Sequence, residues 1–250
     1  MRRIIICISI FCASYCGIAA QEADIRSADS AYASEQYDRA IELYESLIKT
    51  HGESFELYYN LGNSYYKKGK IADAILNYER ALLINPGDAD AHFNLELTKQ
   101  QTVDKSEPIQ EFFLKRWFNA VQDIIGVDSW ATLGIISFVL LIFCLVLFFF
   151  SKFMYLKKLG FYLGILFIVI TVFANVFAYN QKQERLNRRG AIIFAPTVTI
   201  KSSPDDSGTD ISVLHEGTKV FIRSSLGDWH EILFENGNVG WINKKDIKII

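Results

Sequence analysis

WATLGIISFVLLIFCLVLFFF, residues Trp130–Phe150, is a run of 21 residues without a charged side chain, and LGFYLGILFIVITVFANVFAY, Leu159–Tyr179, is a second of equal length. At about 1.5 Å of rise per residue each would form a helix of about 31 Å, close to the hydrocarbon thickness of a bilayer. A buried helix of a soluble protein is the competing reading, but two such runs back to back leave no polar face. The link Ser151–Lys158 (SKFMYLKK) is too short for anything but a tight return. The expectation is a membrane hairpin that holds the chain before it and the chain after it on one side.

Working outward, Met1–Ala20 has Arg2 and Arg3, an apolar stretch from Ile4, and small residues at Gly17, Ala19 and Ala20. That pattern predicts a secretory signal cleaved after Ala20, with an uncleaved anchor as the alternative. Export of Gln21 onward would place Lys152, Lys157 and Lys158 of the link in the cytoplasm, as the positive-inside bias requires. Lys182, Arg185, Arg188 and Arg189 after the second run pull the other way. The expected location is the bacterial inner membrane, both soluble pieces periplasmic.

Composition narrows the chemistry. The net charge of −2 gives no reason to expect a nucleic-acid partner. Gln21–Val103 holds fourteen acidic against eight basic residues, so this piece favours a partner of basic character. The four cysteines are Cys7, Cys12, Cys16 and Cys144, which leaves neither soluble piece a disulfide framework, a thiol nucleophile or a thiolate zinc site. His51, His92, His215 and His230 have no metal-ligand spacing and read as solvated or helix-end residues. No nucleophile elbow, phosphate loop or HExxH is present, so the expectation is a protein without enzymatic activity, cofactor or metal.

Gln21–Gln101 repeats itself. Tyr32 and Tyr66, Arg39 and Asp73, Ala40 and Ala74, and Tyr44 and Tyr78 are each 34 residues apart. The fuller copy runs from Phe55 to Asp88 with Tyr58, Leu61, Gly62, Tyr65, Ala74, Tyr78, Ala81 and Pro86, and it resembles the tetratricopeptide repeat. Gly62 and Ala74 are small where two antiparallel helices cross, and Tyr65 and Tyr78 fill the space beside them. The earlier copy replaces the glycine and tyrosine by Ala28 and Ala31, and the later one is a first helix only, Ala89–Gln101. The resemblance implies all-α helix-turn-helix repeats over residues 21–102 and a concave face that binds partner proteins. Its groove positions fall on Tyr59, Asn63 and Tyr66 of the fuller copy and on Phe93, Asn94 and Leu97 of the closing helix. Asparagines there hydrogen-bond a bound peptide backbone in many such domains. The paired lysines that clamp a C-terminal carboxylate in some members are absent, with Ile25, Tyr59 and Asp90 in their places.

Val103–Pro108 reads as a linker. Ile109, Phe112, Phe113, Trp117, Val121, Ile124 and Ile125 then recur at helical spacing, which predicts an interfacial amphipathic helix leading into the bilayer. The alternative is a helix of the same chain packed into the groove. Residues 103–129 are assigned to this linker and helix, 130–150 and 159–179 to the spans, and 151–158 to a cytoplasmic loop. Asn175, the most polar residue of the spans, is expected to bond between helices.

Residues 190–250 alternate short β-type runs (AIIFA, TVTIK, TKVFI, WHEILF, NVGWI) with turn signals at Glu216-Gly217 and Asn236-Gly237. Thr197–Pro204, Val213–Gly217, Trp229 and Gly237–Ile242 together resemble the bacterial SH3-like domain, a small all-β barrel. Trp229 and Trp241 have two open readings, large side chains filling the barrel centre or contacts to cell wall; the centre is the expected place for at least one. The order of signal, repeats, two-helix hairpin and SH3-like domain resembles the E family of the Bacteroidetes aerotolerance (Bat) proteins. That resemblance implies a membrane adaptor working with other Bat-type membrane proteins in assembly or stress tolerance; peptidoglycan binding through the SH3-like domain is the alternative.

Overall fold

The computed structural model describes residues 24–104, 112–187, 189–234 and 237–250. The expected signal at Met1–Ala20, most of the expected linker, the first turn of the expected amphipathic helix and Asn236 lie outside them. The chain forms two compact units, one built of the helical repeats with Gly190–Ile250 and the other of Gln110–Arg189 with Leu83–Asp88.

In the first unit five helices follow one another: α1 (24–33), α2 (Tyr37–His51), α3 (Phe55–Lys67), α4 (Ile71–Ile84) and α5 (Ala89–Lys99). Ser54 caps α3 by accepting the Leu57 N–H at 3.2 Å, and Glu56 in its first turn suits the positive end of the helix. Gly62 lies where α3 crosses α4, since a Cβ there would come within 2.8 Å of the Tyr78 ring. The helix-to-helix turns repeat as well: Glu35 (φ 60°) and Gly69 (φ 72°), again 34 apart, both take the left-handed conformation. Ala28, Ala40, Ala72, Ala74, Tyr44, Tyr78 and Ile75 make up the tight centre of the repeats.

Residues 190–250 fold into β1 (Gly190–Ile193), β2 (Thr197–Lys201), β3 (Asp210–His215), β4 (Lys219–Leu226), β5 (Trp229–Phe234), β6 (Asn238–Asn243) and β7 (Ile247–Ile249). They make one antiparallel sheet of order β3-β2-β6-β5-β4-β1-β7. Two strands exceed the five expected runs. β3 buries only Leu214 and β7 is three residues long, so neither carries a legible alternation. The core is Ala191, Ile193, Ile200, Leu214, Val220, Ile232, Phe234, Ile242 and Ile247. It contains no tryptophan. Along β5 the buried positions are His230, Ile232 and Phe234, which puts Trp229 on the opposite face, and Trp241 likewise alternates with the buried Gly240 and Ile242. The expected central tryptophan is therefore a half-buried outer residue, and aliphatic side chains fill the space. His230 also departs from expectation, being buried in the sheet with its Nδ1 2.7 Å from Ser225 Oγ.

Repeats and sheet, which the sequence presents as separate pieces, pack together in this unit. Glu79 of α4, with only 8% of its side chain exposed, pairs with Lys219 of β4 at 2.6 Å and with Lys99 at 3.4 Å. Burial alone would push its carboxyl up; the two ammonium groups outweigh that and hold it below the usual carboxylate value. Arg80 donates to the Ile249 carbonyl at 2.7 Å, and Lys248 pairs with Asp73 at 3.2 Å. Asp104, expected in a linker, is fixed instead: it accepts from the His215 backbone N–H (2.7 Å) and Thr218 Oγ1 (2.7 Å), and lies 2.9 Å from His215 Nδ1. Gly217 (φ 87°) permits the approach, because a Cβ would lie 2.7 Å from Thr102 Cγ2.

The second unit contains α6 (Phe113–Gln122), α7 (Val127–Phe150) and α8 (Met154–Asn187). α7 and α8 are long and apolar enough to cross a membrane, and most of their surface is exposed. Both outrun the uncharged stretches, so only Ser151–Phe153 separate them and Lys157, Lys158, Lys182 and Arg185 are helical. Small residues let the two backbones meet: a Cβ on Gly160 would lie 2.8 Å from the Cys144 carbonyl. Asn175 bonds within its own helix, to the Thr171 carbonyl at 2.8 Å, as polar side chains in helices often do. Gln181 Nε2 and Trp130 Nε1 both donate to the Gln122 carbonyl at the end of α6.

Candidate functional site

Between α1, α3, α4 and α5 lies an open cleft of about 350 Å³, lined by Tyr32, Tyr59, Asn63, Tyr66, Lys67, Tyr78, Asn94, Leu97 and Thr98. The repeat geometry creates it. The first helix of each repeat presents its position-matched residues to one face, while α4 turns its other side, with Asp73, Glu79 and Arg80, toward the sheet. Of the six residues expected to face the groove, the structure gathers Tyr59, Asn63, Tyr66, Asn94 and Leu97 around this cleft. Phe93 is 68% exposed, one turn before Leu97 on α5.

Asn63 is the hub. Its Oδ1 accepts from Tyr78 Oη at 2.7 Å and from Asn94 Nδ2 at 3.0 Å, and the same Asn94 amide donates to Tyr59 Oη at 3.0 Å. Burial, then the neighbouring Tyr59 and Tyr32, pushes the Tyr78 phenol well above its ordinary value, so it stays a donor. With its carbonyl committed and no acceptor for its Nδ2 among the described residues, Asn63 has its two amide hydrogens left for a ligand, as a groove that reads peptide carbonyls requires. Tyr59 stacks on Phe55 with centroids 5.7 Å apart, and Tyr66 Oη accepts from Gln101.

Sequence reasoning left out two residues, Asp29 and Asn60, that form a second, parallel network. Tyr44 Oη donates to Asp29 Oδ1 at 2.6 Å, and Asn60 Nδ2 approaches the same oxygen at 3.4 Å. Asp29 and Asn63, Tyr44 and Tyr78, and Asn60 and Asn94 are 34 residues apart, so the two triads are one arrangement made twice. Ser64 and Thr98, also 34 apart, each donate to the carbonyl four residues earlier. The period that revealed the repeats was the signal for Asp29 and Asn60 too.

Trp229 and Trp241 lie on adjacent strands. Trp241 pairs across with Glu231, and Trp229 with Asn243, so the two indoles share the outer face as diagonal neighbours. Lys201, paired with Trp241 across β2 and β6, is held by Asp210 at 2.6 Å.

The profile of the tetratricopeptide repeat family matches residues 25–91, which include six of the nine residues lining this cleft. A search of curated proteins finds no match to the chain. Tetratricopeptide repeats generally serve as scaffolds for protein–protein interaction.

Proposed function

We propose that the chain is a scaffold of the bacterial inner membrane whose periplasmic repeats hold an extended segment of a partner protein in the cleft around Asn63. The observation that carries this reading is the Asn63 amide, its carbonyl saturated by Tyr78 and Asn94 and its N–H donors without an acceptor among the described residues. α7 and α8 supply the anchor, and the export signal expected at Met1–Ala20 supplies the orientation. The reading assigns the chain no reaction of its own. The resemblance to the Bat proteins supports partners among membrane proteins of that kind and a part in stress tolerance. Asn63→Asp tests it with little structural damage, because Asp29 already makes the same bonds in the first triad. Crosslinking and co-purification from cells should recover a partner with the wild-type chain and lose it with Asn63→Asp and Tyr59→Ala. A partner recovered equally with all three refutes the cleft.

A second reading rests on the outward tryptophans: the sheet, read as an SH3-like domain, binds peptidoglycan through Trp229 and Trp241. Retention of the full chain on purified cell wall should then fall with Trp229→Ala. Equal retention of the variant rejects it.

A further inference from the structure

The two triads differ in one atom, and that difference has a chemical consequence. In the second, Asn63 Oδ1 receives Tyr78 and Asn94, and an NH2 faces the ligand side. In the first, Asp29 Oδ1 receives Tyr44 and Asn60, and the remaining atom is a carboxylate oxygen. An amide nitrogen donates; a carboxylate oxygen only accepts and carries charge. Among the described residues no lysine or arginine pairs with Asp29, and its side chain is exposed. It stands one helical turn before Tyr32, which lines the cleft. At the other end, Lys67 follows Asn63 by one turn of α3 and also lines the cleft.

We infer that the first repeat is a cation-reading subsite: the bound partner segment carries a lysine or arginine that pairs with Asp29 while its backbone carbonyl is read by Asn63. The inference rests on the cleft reading and adds the chemistry and direction of the ligand. The cleft has Lys67 on its lining and Asp29 just beyond its α1 side, one turn from Tyr32, so the segment lies with its basic residue toward α1. Neighbouring packed helices stand about 9 Å apart, and an extended chain advances about 3.3 Å per residue. The basic residue therefore sits about three residues from the carbonyl bound at Asn63. The surplus of acidic residues in Gln21–Val103 points to the same partner charge.

The test is selection of displayed random peptides on the full chain in detergent, with wild type, Asp29→Asn and Asn63→Asp in parallel. Asp29→Asn keeps the acceptor for Tyr44 and Asn60, as Asn63 does in the second triad, so the fold is retained. Wild type should enrich peptides with lysine or arginine at one fixed position. Replacing that residue by glutamine should weaken binding about 5-fold in low salt, the scale of an exposed ion pair. On Asp29→Asn the same replacement should change affinity by less than about 2-fold. Peptides that need Asn63 but show no basic preference, or keep it on Asp29→Asn, overturn the inference and leave the cleft reading standing. Selections that yield no Asn63-dependent peptide overturn both.

Discussion

Removing the Lys219 ammonium should loosen the sheet from the repeats, and the size of the effect follows from the geometry. Glu79 is almost fully buried and holds Lys219 at 2.6 Å and Lys99 at 3.4 Å. Taking one partner from a buried ion pair costs about 3–5 kcal/mol, because the other charge is stranded. Lys99 stays, so Lys219→Met should cost about half of that, roughly 2 kcal/mol, or about thirty-fold in the opening equilibrium. Hydrogen exchange on the full chain reads this directly: amides of β4 and of the middle of α4 should exchange about thirty-fold faster. The double variant Glu79→Leu with Lys219→Met strands no carboxylate and should return to within about 1 kcal/mol of wild type. Acid supplies a second check. The folded protein holds the Glu79 carboxyl below its ordinary value of 4.5, so this contribution is complete above that pH and is lost as pH falls through the depressed value. The gap between wild type and Lys219→Met should narrow there. If Lys219→Met changes exchange less than about threefold at neutral pH, or the double variant is as loose as the single, the pair does not hold this junction.

Glu35 takes a left-handed turn that its repeat counterpart Gly69 takes freely; relief of about 1 kcal/mol of strain, partly offset by chain entropy, should make Glu35→Gly stabilising by about 0.5 kcal/mol in denaturant titration, with no gain contradicting this. Burial, then nearby Lys244, keeps the His230 imidazole below its ordinary 6.5, so the sheet should lose stability as pH falls from 6.5 through the lowered value, and thermal unfolding of His230→Gln should lack that slope. Gly160→Leu should open the α7–α8 hairpin, since a Cβ there already lies 2.8 Å from the Cys144 carbonyl; unchanged protease resistance in detergent would argue against this packing.

The sequence carried much of this because its signals are periodic and local. The 34-residue interval marked the helix crossing at Gly62 and Tyr78, and the resemblance to the tetratricopeptide repeat named the five groove residues that line one cleft. Two uncharged runs gave the two long helices, although their charged ends are helical as well. Contacts of large sequence separation left no such trace. Glu79 meets Lys219 across 140 residues and Asp104 meets His215 across 111, through side chains that look like ordinary surface charges. The tryptophans misled for a related reason: size suggested the sheet centre, whereas strand alternation put Ile232, Phe234 and Ile242 there and turned the indoles outward. Asp29 and Asn60 were readable from the period, but only once hydrogen bonding, rather than bulk, was compared between the copies.

The most direct measurement is site-specific photo-crosslinking in cells, with the reactive residue placed at Leu97 in the cleft, at Phe93 on its rim, or at exposed Glu42 on α2 as control. A cleft that holds a partner segment gives one discrete protein adduct from Leu97 and Phe93, none from Glu42, and loss of the adduct when Asn63→Asp is added. Adducts of equal yield from Glu42, or a Leu97 adduct indifferent to Asn63→Asp, would contradict the account.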